Sequence, residues 1–177
     1  MSKLTLGDKA PDFKLPGVDG QTHILNDYSG KNALVIIFSC NHCPYVQAWE
    51  DRIINVQSNY ADHGVQLIAI SANDTTEYPA DSFSEMVKRS NIKSFNFPYL
   101  YDESQNVAKA YGAERTPEVF VFDNTQKLAY HGAIDDNYED PTSVKEQYLR
   151  NALDAITTNG TPSIPETPPV GCTIKWK

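Results

Sequence analysis

The sequence lacks most of the features by which a chain declares its chemistry. No apolar run approaches the roughly 20 residues a bilayer-spanning helix requires, so no membrane span is expected. It has no glycine-rich phosphate loop, dinucleotide fingerprint, HExxH zinc motif or internal repeat, which sets those chemistries aside. Positive charge is in short supply: 15 Lys and Arg face 23 Asp and Glu, for a net charge of −8. Phosphate-rich partners need clustered basic side chains, so neither nucleic acid nor an anionic membrane is an expected partner. Cysteine is equally sparse, three in 177 residues, too few for a disulfide scaffold. The opening MSKLTLGDKA lacks the apolar core of a secretory signal, and a cytoplasmic location is the expectation.

What is present centres on one stretch, Leu34 to Val46, reading LVIIFSCNHCPYV. An unbroken apolar run ends in Ser39 and Cys40-Asn41-His42-Cys43, and Pro44 then opens a segment of helical periodicity. Two thiols therefore stand where a strand hands over to a helix. At that spacing they can close a disulfide within one turn, and the helix-start amides favour a thiolate. A thiolate attacks a substrate disulfide, and the second cysteine resolves the mixed disulfide at high effective concentration. A structural zinc site would need a second ligand pair, for which only Cys172 and scattered histidines remain. A thiolate module for Cu(I) or zinc, using Cys40, His42, Cys43 and Cys172, is the alternative from a different class, and two inert buried thiols are the plain one.

The rest of the chain reads as an α/β domain over 1–160 with a tail over 161–177. Turn signals at Gly17 and Asp19-Gly20 suggest an N-terminal hairpin, with His23 a strand residue whose ring is solvated. Val46, Trp49, Ile53, Val56 and Tyr60 recur at helical spacing with Trp49 in the core, and Val65 to Ser71 forms a second strand, giving a β-α-β unit with a parallel pair. Ser82 to Glu85 has capping-box form and starts a helix through Ser90. Asp102 to Gln105 reads as another cap before a helix stopped by Gly112. Glu118 to Phe122 and Lys127 to Gly132 read as an antiparallel pair, so the sheet is mixed, and Ser143 caps the final helix. Asp74 and Glu77, like the cluster Asp135, Asp136, Glu139 and Asp140, read as solvated loop residues. Pro162, Pro165, Pro168 and Pro169 stiffen the tail, which at about 3.1 Å per residue could carry Cys172 to the other two thiols.

Ala10-Pro11-Asp12-Phe13 in the hairpin, the strand running into Cys40-Asn41-His42-Cys43-Pro44, and Thr116-Pro117 before a strand resemble the thioredoxin-fold redoxins. Among these, the chain is most similar to the peroxiredoxin-like proteins of the alkyl hydroperoxide reductase and thiol-specific antioxidant group. The resemblance implies a thioredoxin-like fold, with a mixed central sheet flanked by helices, and no bound cofactor or metal. It implies a cis Thr116-Pro117 bond packed against the sulfurs, with Thr116 offering backbone hydrogen bonds to an extended substrate. Cys40 is then the nucleophile and Cys43 the resolving thiol, with Cys172 a second resolving candidate. Pro44 argues the other way, since it would make Cys43 the helix cap and give it more of the dipole. His42 and Glu118 are candidates for tuning the thiol pKa.

The expected partners are a protein or small-molecule disulfide, or a peroxide, and an external thiol reductant. Peroxiredoxins carry a proline seven residues and a threonine three residues before the attacking cysteine. Here those positions hold Ile36 and Cys40 before Cys43, and Ala33 and Ile37 before Cys40. The sequence thus favours disulfide exchange, with peroxidase activity the alternative.

Overall fold

The structure, a computed structural model, describes residues 3–177. Strand β3 (Ala33–Ser39) lies at the centre of a five-stranded sheet and is buried along its whole length. On one side it pairs in parallel with β4 (Val65–Ser71), and β4 pairs in parallel with β5 (Tyr99–Tyr101). On the other it pairs antiparallel with β7 (Glu118–Asp123), and β7 with β8 (Leu128–Gly132). The spatial order is β5-β4-β3-β7-β8, the mixed sheet of a thioredoxin-like fold.

The period of two in β3 divides the core. Ala33, Val35 and Ile37 face α1 (Pro44–Tyr60) and α4 (Tyr148–Thr157), where Trp49, Ile53, Val56, Leu149 and Leu153 meet them. Leu34, Ile36 and Phe38 face the hairpin of β1 (Lys14–Pro16) and β2 (Thr22–Ile24) and the short α3 (Asn106–Tyr111). Because both faces are covered, β3 tolerates no polar residue before Ser39. The carboxyl end of this strand is where the chain leaves the sheet, so both cysteines sit at the rim of the core.

Helix α2 (Phe83–Lys93) is capped by Ser82 Oγ, which accepts from the Glu85 amide as its sequence suggests, and runs past Ser90 to a left-handed Ser94. Strand β5 has no counterpart in the sequence reading. The start of α4 also differs. Asp140 caps a separate 3-10 turn at Pro141–Ser143, and the Lys145 amide is held by Asp136 Oδ1, so the helix begins at Tyr148 rather than after Ser143. His23 is not solvated: its ring binds the Tyr28 hydroxyl at 2.5 Å and the Asp19 carboxylate. Asp74 and Asp135 are buried rather than solvated, the latter receiving the Trp49 indole and the Arg52 guanidinium.

The tail is part of the fold. Glu166 bridges His131 in parallel on the free edge of β8, which keeps that edge from pairing elsewhere. The chain then crosses to β9 (Cys172–Thr173), which pairs antiparallel with β6 (Arg115–Thr116).

Candidate active site

Cys40 follows the last residue of β3, and Cys43 is the N-cap of α1 with Pro44 as the first helical residue. The residue before proline avoids helical backbone, which places Cys43 at φ −70°, ψ 124° and points its sulfur at the helix start. Cys40 is 3% exposed and Cys43 0%, so neither sulfur is open to a large substrate in this conformation. The third thiol completes the cluster: Cys172 Sγ lies 2.9 Å from Cys43 Sγ. All three cysteines are free thiols.

The Thr116-Pro117 bond is cis, and Thr116 lies against both thiols of the CxxC. Its hydroxyl is 3.5 Å from Cys40 Sγ, and its carbonyl oxygen is 3.3 Å from Cys43 Sγ, within reach of a thiol proton. The backbone edge of Thr116 is not free, because Cys172 is its antiparallel partner.

The sulfurs differ in charge preference. Cys43 is lowered from the ordinary thiol range: the Cys40 thiol donates to it, with the Cys172 thiol and the Val46 and Cys172 amides adding to the effect against the cost of burial. Cys40 is raised, by the same hydrogen bond to Cys43, by burial and by the nearby Asp81 carboxylate. Cys172 is pushed up to about 11 by burial and by its hydrogen bond to Cys43. Of the three sulfurs, the shifts favour the thiolate form at Cys43 and disfavour it at Cys40 and Cys172.

Asp81, which sequence reasoning missed, organises the loop between the cysteines. Its Oδ1 accepts the amides of Asn41 and His42, and its Oδ2 accepts from Asn73 Nδ2 and pairs with His42 Nδ1 at 2.5 Å. The only signal was its place in a polar loop beyond a strand end, where ligand-binding loops gather. His42 thus faces Asp81, and its ring stacks on Tyr78. Donor atoms of Cys40, His42 and Asp81 lie within 4.8 Å of one another, the one metal-type grouping among the described residues. Both oxygens of Asp81 are already engaged by protein donors.

Glu118 shares no hydrogen bond with a sulfur among the described residues. One oxygen accepts the amides of Glu114 and Arg115, and the other pairs with His131 at 2.7 Å, both side chains being buried. Glu118 therefore shapes the turn that presents Thr116 and Pro117. Among the described residues no helix is long and apolar enough to cross a membrane.

The profile of the AhpC/TSA family matches residues 6–131, which hold the hairpin, the CxxC, Thr116-Pro117 and the central sheet up to His131 in β8. A curated relative, thiol-disulfide oxidoreductase ResA of Geobacillus thermodenitrificans, is 25% identical over 127 residues, covering 71% of this chain and 67% of that protein. The crystal structure of a conserved protein from Geobacillus kaustophilus superposes with a TM-score of 0.93 at 40% identity, covering 98% of this chain and 93% of that one. A thioredoxin-like protein solved in its oxidised form shares the fold, with a TM-score of 0.72 at 14% identity over 89% of this chain and 99% of its own. The chain belongs to the AhpC/TSA family and is a redox enzyme by that membership.

Proposed function

We propose that the chain is a thiol-disulfide oxidoreductase of the cytoplasm that cycles Cys40 and Cys43 between dithiol and disulfide without a bound cofactor. The observation that carries this reading is the shared position of Thr116, whose cis-proline loop touches both sulfurs. Its substrates are protein or small-molecule disulfides, and an external thiol system returns it to the dithiol. The relative ResA, a thiol-disulfide oxidoreductase, supports the same reaction class.

The order of events departs from the one the thioredoxin resemblance implies. Cys43, as helix cap, carries the thiolate, while the hydrogen bond to Cys43, burial and the Asp81 carboxylate together keep Cys40 protonated. Thiolate Cys43 attacks one sulfur of the substrate disulfide, and the leaving thiolate takes a proton. Cys40 then gives up its proton and attacks Cys43 Sγ, forming the Cys40-Cys43 bond and releasing the second substrate thiolate. Two electrons pass from the protein to the substrate, and two thiols of the reductant later restore them.

The test is turnover of a small aromatic disulfide by the full chain with an external thiol. Cys43→Ser and the double variant Cys40→Ser with Cys172→Ser both abolish it under this reading, the double variant trapping the mixed disulfide on Cys43, since Cys172 Sγ lies 2.9 Å from Cys43 Sγ and would otherwise resolve it. Unchanged turnover in either variant overturns the dithiol mechanism. Rapid, saturable consumption of hydrogen peroxide instead would favour the peroxidase alternative that the family also includes.

A further inference from the structure

The docking edge beside the sulfurs is occupied by the protein itself. Thr116 pairs with Cys172, Arg115 pairs with Thr173, and the Ile174 amide donates to the Glu114 carbonyl. Ile174 is buried with the apolar residues on the hairpin side of the sheet. The fit is close at Gly171, where a Cβ would stand 2.0 Å from the Thr116 carbonyl oxygen and 2.6 Å from its carbon. Beyond Ile174, the Lys175 carbonyl accepts from the Asp74 amide and from Gln105, and the Lys175 amide donates to Asn73. Asn73 in turn donates to Asp81, so one hydrogen-bonded chain joins the tail to the loop between the cysteines.

We propose that residues 171–174 are a resident substrate mimic, and that Cys43 is a pivot whose disulfide moves between Cys40 and Cys172. This rests on the dithiol reading above. In the oxidised protein, Cys172 loses its proton and attacks Cys43 Sγ of the Cys40-Cys43 disulfide. The Cys43-Cys172 bond forms, the Cys40-Cys43 bond breaks, and Cys40 leaves as a thiolate that takes up a proton. No external oxidant or reductant is consumed. The product has the tail locked across Thr116 and both sulfurs withdrawn, whereas in the reduced enzyme the tail is held by noncovalent contacts and yields to a substrate strand. The same seat describes the substrate class: an extended polypeptide with glycine before its cysteine and an apolar side chain two residues after it, bound by strand addition.

The test oxidises the full-length protein with one equivalent of oxidised glutathione and maps disulfides by mass spectrometry. The wild type is expected to contain both Cys40-Cys43 and Cys43-Cys172 linkages. Gly171→Val, which cannot seat the tail, is expected to contain only Cys40-Cys43. Its turnover of a small aromatic disulfide should rise about tenfold, equivalent to a tail docked by ~1.4 kcal/mol. Ile174→Asp removes the apolar anchor without touching that backbone contact and should behave alike, and formation of Cys40-Cys43 in both variants shows that the site is folded. Absence of Cys43-Cys172 from the wild type, or its persistence with unchanged turnover in both variants, overturns the proposal. If turnover still requires Cys40 and Cys43 in that case, only the role of the tail falls. If turnover survives Cys43→Ser, or Cys40→Ser combined with Cys172→Ser, the dithiol reading itself falls.

Discussion

His42 and Asp81 are joined through Nδ1 and Oδ2 at 2.5 Å, a pairing that fixes the loop between the two cysteines from outside that loop. The carboxylate also takes the amides of Asn41 and His42, so it holds backbone and ring together while placing negative charge beside Cys40. Asp81→Asn removes that charge and turns a donor toward Asn73. The Cys40 thiol pKa should fall, and its alkylation by iodoacetamide near pH 8 should quicken. Loss of a buried acceptor should cost about 1–3 kcal/mol in urea unfolding. Unchanged Cys40 reactivity would show that the carboxylate does not control that thiol.

Cys172 offers a pH test. Burial and its hydrogen bond to Cys43 push its pKa up to about 11, from an ordinary 9.0, so the thiolate is the disfavoured form. At pH 8 its thiolate fraction should lie about 100-fold below that of an unperturbed thiol, and labelling should accelerate as the pH rises through about 11. The sign for stability follows. The folded state holds this proton between pH 9 and about 11 while the unfolded chain releases it, so this contribution is present below 9 and is lost as pH rises through that window. Labelling as fast as free cysteine at pH 8 would mean that the tail does not reside against Cys43. Cys43→Ser should bring the Cys172 pKa back down, since Cys43 is among the causes of the shift.

Glu118 tests the support of the cis-proline turn. Glu118→Ala leaves the Glu114 and Arg115 amides and the His131 ring without their acceptor in a fully buried place. The expected cost is about 3–5 kcal/mol of stability, with turnover falling because Thr116 is no longer presented. Glu118→Gln keeps one oxygen for the two amides and can donate to His131 in its other tautomer, so it should retain most of both. Urea unfolding and turnover measured together separate this positioning role from proton transfer to a sulfur. A proton-relay role would leave Glu118→Gln folded but inactive.

The elements legible in the sequence were those whose burial repeats. Val65 to Ser71 emerges with the boundaries expected, and the apolar run from Leu34 is a strand that ends at Ser39 as expected, because apolar runs bounded by turn residues have few other solutions. Tyr99–Tyr101 was not legible, being too short to show a period and preceded by Pro98. The helix after Ser143 was misplaced because a serine three residues before a glutamate looks like a cap whether or not a neighbouring aspartate has already claimed the turn. At the site, the two cysteines and Thr116-Pro117 were readable from local motif. Asp81 and the Glu118–His131 pair depend on contacts across the fold that no local pattern encodes. The prolines showed that the tail could reach the thiols, but its register against Thr116 follows from Gly171 fitting under a carbonyl.

Asp135 provides a stability prediction remote from the sulfurs. It was expected to be a solvated loop acid, yet it is 2% exposed. Its Oδ1 accepts from Trp49 Nε1 at 2.9 Å, and Arg52 Nη1 reaches both of its oxygens. Arg52 also donates to the carbonyls of Asn137 and Tyr138, so the guanidinium ties the loop after β8 to the middle of α1. Asp135→Ala leaves an indole N–H without an acceptor and a largely buried cation without its counter-ion, which should cost about 3–5 kcal/mol. Asp135→Asn keeps an acceptor for Trp49 but loses the charge, and should fall between the alanine variant and the wild type. The readout is the urea midpoint followed by Trp fluorescence, with disulfide turnover per folded molecule unchanged in both variants. A midpoint shift below about 1 kcal/mol in Asp135→Ala would mean that the two carbonyls alone suffice to hold Arg52.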